Sequence, residues 1–159
     1  DEGVFGNYSW EEPLGACGLI AWTSEGVPLW KNEKYPICDC YAISLDEEEN
    51  LWFYYYDEFR LVRTDFMEDL VFDLPIEGSR AFSVAPSGET FLFQGGYQKH
   101  NKCYFLTRQG GRLGQKQEAV PTCNGSKVAV ERCSLLRSQM LFLGKNGVLY
   151  GSIWKSDGQ

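Results

Sequence analysis

The sequence is poor in the residues from which acid–base and nucleophilic catalysis is usually assembled. It has one histidine, His100, in 159 residues, placed in the polar loop 94–102 with no nucleophile motif attached. No Gly-x-Ser-x-Gly elbow occurs, and no Walker-type phosphate loop. Gly110-Gly111-Arg112-Leu113-Gly114 is Gly-rich and basic, but no helical pattern follows it, so 109–117 reads as a connecting loop. Basic residues are also scarce: 15 Lys and Arg stand against 22 Asp and Glu, a formal net charge of −7. Nucleic acids and anionic membrane surfaces are held by clustered cations, so neither is an expected partner. There is no apolar run of about 18 residues, the length a transmembrane helix needs, and no signal peptide is visible. The chain begins at Asp1 rather than Met, as a processed or trimmed chain, or one numbered from a fragment, would. Long amphipathic helical stretches are missing too, which points away from the helical fold classes.

Six cysteines are present, at 17, 38, 40, 103, 123 and 133. A chain of this length has enough core not to need disulfides. Cys38-Asp39-Cys40 places two thiols on one strand face, without bridging geometry. That pair resembles half a zinc site, but zinc pairs usually leave two or more residues between ligands, and no second cluster follows. Buried, reduced thiols are the expectation, with disulfides and a metal site as alternatives; this favours a cytoplasmic setting. Asp46-Glu47-Glu48-Glu49-Asn50 has the oxygens of a calcium loop but not its glycine, and reads as a solvated turn. No metal, cofactor or catalytic residue is assigned.

What the chain has in quantity is aromatic residues, 15% of the total, and glycine, at 17. They concentrate in Leu51-Trp52-Phe53-Tyr54-Tyr55-Tyr56, the stretch that dictates most about the fold. A strand with one wet face alternates apolar and polar residues. Here Leu51, Phe53 and Tyr55 point one way and Trp52, Tyr54 and Tyr56 the other, so both faces need burial between two further layers.

Around it, short strands and turns recur. Leu19–Trp22 and Val27–Trp30 form a hairpin, with Pro28 marking an edge or bulge. Tyr41–Leu45, the aromatic strand, Phe59–Arg63 and Leu70–Leu74 follow. The pattern restarts with Ala81–Val84, Thr90–Phe93, Cys103–Thr107 and a short outer strand at Ala119-Val120. Val128–Val130, Cys133–Leu136, Met140–Leu143, Val148–Tyr150 and Ile153-Trp154 complete it; the turn Gly144-Lys145-Asn146-Gly147 before Val148 carries the Asn-Gly pair that two-residue hairpins favour. Ala42–Trp52 and Ala81–Phe91 share their spacing at an offset of about forty residues, and Ser24–Val27 matches Lys145–Val148. The fold class is all-β, with 1–16 as an N-terminal arm and 17–159 as a single repeat domain.

A unit of forty to fifty residues carrying four short strands resembles a β-propeller blade. The resemblance is carried by Tyr41-Ala42-Ile43-Ser44-Leu45 leading to Asn50-Leu51-Trp52-Phe53, and by Ala81–Phe93 with Pro86-Ser87-Gly88 in its turn; the Gly-His and Trp-Asp signatures of the WD40 type are absent. It implies a partial propeller of about three to four blades, since blades stacked face to face bury a strand on both sides. A β-sandwich is the alternative, but does not account for an equal-length repeat. Because propellers usually have more blades, the resemblance also implies a longer chain, a second copy, or a ring completed by another polypeptide.

The most distinctive surface candidate is the exit of the aromatic strand, with Tyr55, Tyr56, Asp57 and Arg60 as binding residues; Tyr and Arg beside acidic groups suit protein or sugar recognition. The expected function is a non-enzymatic binding or scaffold module that engages a protein partner or a second copy. The alternatives are a hydrolase or lyase with its site at the propeller axis, and a carbohydrate-binding lectin; a small-molecule or sugar ligand belongs to those readings.

Overall fold

The structure, a computed structural model, describes residues 15–136 and 139–153. Most of the expected arm 1–16 lies outside the described residues, as does Trp154. Among the described residues every regular element is a strand: β1 Ile20–Trp22, β2 Pro28–Lys31, β3 Cys40–Leu45, β4 Leu51–Tyr55, β5 Leu61–Thr64, β6 Asp69–Phe72, β7 Phe82–Val84, β8 Thr90–Gln94, β9 Cys103–Gln109, β10 Arg112–Ala119, β11 Thr122–Cys123, β12 Ser126–Lys127, β13 Val130–Leu136, β14 Gln139–Gly144 and β15 Leu149–Ile153. They form antiparallel meanders: a two-stranded β1–β2 sheet, two four-stranded sheets (β3–β6 and β7–β10), a three-stranded β13–β15 sheet, and the small β11–β12 hairpin.

The sheets stack in series, their strand ladders each closed within one sheet apart from a single bridge, and this sets aside the two-sheet sandwich. Their first strands β3, β7 and β13 lie side by side, as the inner strands of adjacent blades do. At the outer edge, Asp73 bridges to Arg112, where the Asp73 N–H donates to the Gly111 carbonyl at 3.1 Å and the Leu113 N–H to that of Asp73 at 2.7 Å. The fold is thus propeller-like, with two four-stranded blades and, among the described residues, two partial ones.

Strand β4 explains the stacking. Phe53 and Tyr55 pack with Ile37 and Val62 towards the β1–β2 side. Trp52 and Tyr54 pack with Leu61 and Phe72 against Phe82, Phe91 and Phe93 of the second four-stranded sheet. The Trp52 ring stacks on Phe72 at 5.8 Å and meets Phe91 edge-on at 5.3 Å. Each fully buried side chain of this size adds roughly 2–3 kcal/mol by leaving water. The Tyr54 hydroxyl donates to the Ile76 carbonyl at 2.7 Å and accepts from the Gly78 N–H at 3.1 Å, tying β4 to the connection 73–81.

The repeat is visible in the register. Ser44 pairs with Trp52 and Ser83 with Leu92. The offset is therefore 39 residues on the first strand (83 − 44) and 40 on the second (92 − 52), because the second turn is one residue longer. The loops 24–26 and 145–147 share one geometry. Thr23 N–H donates to Val27 at 2.8 Å and Gly144 N–H to Val148 at 2.9 Å, with Gly26 and Gly147 at φ 82° and 76°.

Several local expectations need correction. The loop expected over 109–117 is mostly strand: only Gly110-Gly111 turn, and β10 pairs along β9 because Leu113 is drawn into the core. The Asn146-Gly147 pair sits in a three-residue loop, 145–147, closed by Gly144 and Val148. Phe59 lies outside β5, at φ 50°. The acidic turn is more than a solvated loop, although Glu47, Glu48 and Glu49 are exposed. The Asp46 carboxylate accepts from Trp52 Nε1 at 2.9 Å, from the Asn50 N–H at 2.9 Å and from the Glu48 N–H at 3.0 Å. Burial opposes its ionisation, but these bonds and Arg63 outweigh burial and hold the carboxyl below its usual range. Its oxygens face N–H donors, the opposite of what a cation requires. Pro28 does begin β2, beside a register shift at Ala21/Trp22.

Replacing Tyr54 by Phe removes only the hydroxyl but strands the Ile76 carbonyl and Gly78 N–H in the core. The expected cost is about 1–3 kcal/mol, read from a shifted urea midpoint at unchanged slope.

Candidate functional site

The turn 56–60, the connection 73–81 and the loop 95–102 lie at one end of the two complete blades. Their backbones approach closely. A side chain at Gly96 would collide with the Glu77 carbonyl, and one at Gly78 would come within 2.6 Å of the Tyr97 ring. These two glycines let loop 95–102 dock on 73–81, where the Tyr97 N–H donates to the Glu77 carbonyl at 3.0 Å. Tyr97 is thereby laid against the first complete blade.

There it joins an aromatic cluster. The Tyr41 and Tyr97 hydroxyls share a hydrogen bond of 2.8 Å. Tyr56 lies 5.9 Å from Tyr41 and 5.5 Å, edge-on, from Phe59; Phe59 in turn meets Tyr97 edge-on at 6.0 Å. Phe59 also faces the buried Tyr54 at 6.2 Å, and these contacts hold its backbone in the left-handed region, a conformation costing of order 1–3 kcal/mol for such a residue. Tyr56 and Tyr97 remain 45% and 47% exposed. The hydrogen bond to Tyr97 pushes the Tyr41 phenol up to about 12, with burial adding to the rise. Beside the cluster runs an open groove of about 330 Å³ lined by Ile76, Glu77, Tyr97, Lys99 and Lys116. Lys116 rests over the Tyr104 ring at 4.2 Å, and burial, with Lys99 nearby, lowers its pKa.

Of the residues singled out in the sequence, Tyr56 belongs to this surface. Tyr55 does not: it is fully buried on the opposite face of β4, and its hydroxyl donates to Glu58 at 2.6 Å. Asp57 accepts from the Cys38 N–H at 2.8 Å, and Arg60 pairs with Glu58 at 3.1 Å and Asp73 at 3.2 Å. Asp57 and Arg60 therefore brace the turn that carries Tyr56. Tyr41, Phe59 and Tyr97 went unrecognised. Tyr41 and Phe59 read as strand residues and Tyr97 as part of a polar loop; the Gly95-Gly96 pair before Tyr97 was the one local signal of a close approach.

A second cleft, of about 230 Å³, opens at the other end between the same blades, beside Asp46, Trp52, Arg63 and Arg108. Both of its arginines are paired locally: Arg63 reaches Asp46 at 3.5 Å, and Arg108 reaches Glu89 at 3.4 Å. Among the described residues, no group of three or more His, Cys, Asp or Glu is placed to hold a metal ion.

No protein-family model and no curated protein matches the chain. Among solved structures, it is similar to a virginiamycin B lyase from Staphylococcus aureus, at 15% identity and a TM-score of 0.45, over 87% of this chain and 48% of that one. A streptogramin B lyase structure is similar at 13% identity and a TM-score of 0.45, over 85% of this chain and 47% of that one. The chain spans about half the length of these proteins, and the fold described above rests on its own sheets rather than on these likenesses.

Replacing Tyr97 by Phe should return the Tyr41 phenol towards its ordinary value near 10, seen as earlier tyrosinate absorbance in an ultraviolet pH titration. Folding raises this pKa, so the neutral phenol's contribution to stability is complete below about pH 10. It is lost as pH rises towards about 12, and the Tyr97→Phe protein should lack that loss.

Proposed function

We propose that the chain is a non-enzymatic binding module that engages a protein partner through the surface formed by Tyr41, Tyr56 and Tyr97. One observation carries this reading: rings from two different blades are brought together at the surface while Tyr56 and Tyr97 stay nearly half exposed. Tyrosines supply large, rigid contact area at low entropy cost and are enriched among the residues that dominate binding energy. The turn beneath Tyr56 is fixed by Asp57 and Arg60, so the surface is organised before a partner arrives. Lys99 and Lys116 line the adjoining groove, which suits a partner that places an acidic side chain beside an apolar one.

The rival readings draw less support. A hydrolase or lyase needs a free acid–base pair in one cleft, whereas the Asp46 carboxylate is committed to Trp52, Asn50 and Arg63. A lectin built on repeats would present similar pockets on successive blades, and the position of Asp46 in the first is taken by Ala85 in the second. A second copy of the chain is the other partner to test, because the end sheets expose Leu29 on one side and Leu149 and Ile153 on the other.

The test is affinity capture with the purified chain, followed by titration of the retained protein. Tyr56→Ser with Tyr97→Ser should weaken binding roughly 30-fold, the equivalent of about 2 kcal/mol, while Leu29→Ser leaves it unchanged. Equal binding by all three proteins would overturn the reading. If the partner is another copy, light scattering will give twice the 18.1 kDa chain mass, and the variant that reverts to monomer will show which surface is used.

A further inference from the structure

Cys103 and Cys133 stand apart from the other thiols. The Cys103 Sγ–H donates to Cys133 Sγ at 3.5 Å, across the seam between the β7–β10 and β13–β15 sheets. Elsewhere thiols turn to backbone carbonyls: Cys17 to Leu19 at 3.4 Å, and Cys40 to Ala42 at 3.8 Å. Cys123 is exposed. Cys103 is fixed from both sides, paired with Gln94 on β8 and Ala119 on β10, while Cys133 is paired with Phe142 on β14. Leu92, Val130, Leu135 and Phe142 pack around Cys103, and Cys133 packs against the same cluster. Closing the sulfur separation to a bond of about 2.05 Å needs a movement of roughly 1.5 Å.

We propose that Cys103 and Cys133 form a reversible disulfide that ties the two sheets together, made by exchange with a low-molecular-weight disulfide such as glutathione disulfide. Cys133 is the attacking sulfur, because it is half-buried where Cys103 is buried. The Cys103 thiol's hydrogen bond holds the Cys133 thiol below its ordinary range against the effect of burial, and Gln94 adds to this. Cys133 gives up its proton and attacks one sulfur of glutathione disulfide, whose S–S bond breaks. The departing glutathione thiolate takes up a proton, leaving a Cys133–glutathione mixed disulfide. Cys103 then loses its proton and attacks the Cys133 sulfur, and the second glutathione leaves as a thiol. Two protein thiols are oxidised by two electrons, and one glutathione disulfide is reduced to two thiols.

The test uses the native chain. It is incubated with glutathione disulfide, its remaining thiols are blocked with a maleimide, and linked peptides are mapped by mass spectrometry. The expected result is one Cys103–Cys133 cross-link, with Cys17, Cys38, Cys40 and Cys123 outside it. Melting should rise by about 5–10 °C and return on reduction. A Cys103→Ser chain should accumulate the glutathione adduct on Cys133, since the second step is removed. Blocked thiols at both positions after oxidation would overturn the proposal. So would a stable Cys133 adduct in the native chain, or a cross-link to any other cysteine.

Discussion

Strand β4 has no polar face to offer water, and the surrounding architecture follows from that constraint. Five consecutive residues from Leu51 to Tyr55 leave water, four of them fully or almost fully. A single adjoining layer would cover only Phe53 and Tyr55, or only Trp52 and Tyr54. The second layer comes from repetition: the next sheet presents Phe82, Phe91 and Phe93 to Trp52 and Tyr54, with Phe82 stacked on Phe93 at 5.3 Å. The polar atoms of β4 are handled within the same scheme. Trp52 Nε1 finds Asp46 at one end of the blade, and the hydroxyls of Tyr54 and Tyr55 find Ile76 and Glu58 at the other. The aromatic strand thereby fixes the turns at both of its ends.

The tyrosine surface is a by-product of that anchoring. Tyr54 holds the connection 73–81 by Ile76 and Gly78, and this same connection receives loop 95–102 through the close approach of Gly96 to Glu77. Tyr97 then has one place to lie, over Gly78 and within reach of Tyr41. A rigid core contact is converted in two steps into a rigid arrangement of exposed rings. For the proposed binding role, such organisation in advance would leave little side-chain entropy to be lost on association.

How much of this was legible in the sequence differs between strands and loops, for a physical reason. Alternation and apolar runs report burial, so the double burial of β4, the forty-residue restart, the first complete sheet and the inner three strands of the second could be read directly from the residues. Strand β10 was lost because Gly110, Gly111 and Gly114 and the charges around them look like a loop; its pairing is set by one buried residue, Leu113, and by neighbours distant in sequence. Tyr55 and Tyr56 are chemically identical and adjacent, and only the end of the strand decides that one is core and the other surface. Tyr97 was hidden because its position depends on contacts between two loops, which leave no periodicity.

The three seams between sheets are not equivalent, and the difference bears on the cysteines. The seam between the complete blades is filled by rings, which bury large area and interlock. The next one along is lined by Ala85, Leu92, Cys103, Val130, Leu135 and Phe142, mostly smaller groups that bury less area per residue. Its outer side is open to a volume of about 490 Å³ between Phe105, Met140 and Tyr150. The three-stranded sheet joins the rest of the described residues through this contact. A covalent link from Cys103, the first residue of β9, to Cys133, in the middle of β13, would reinforce this seam without disturbing β4, whose packing lies one sheet away.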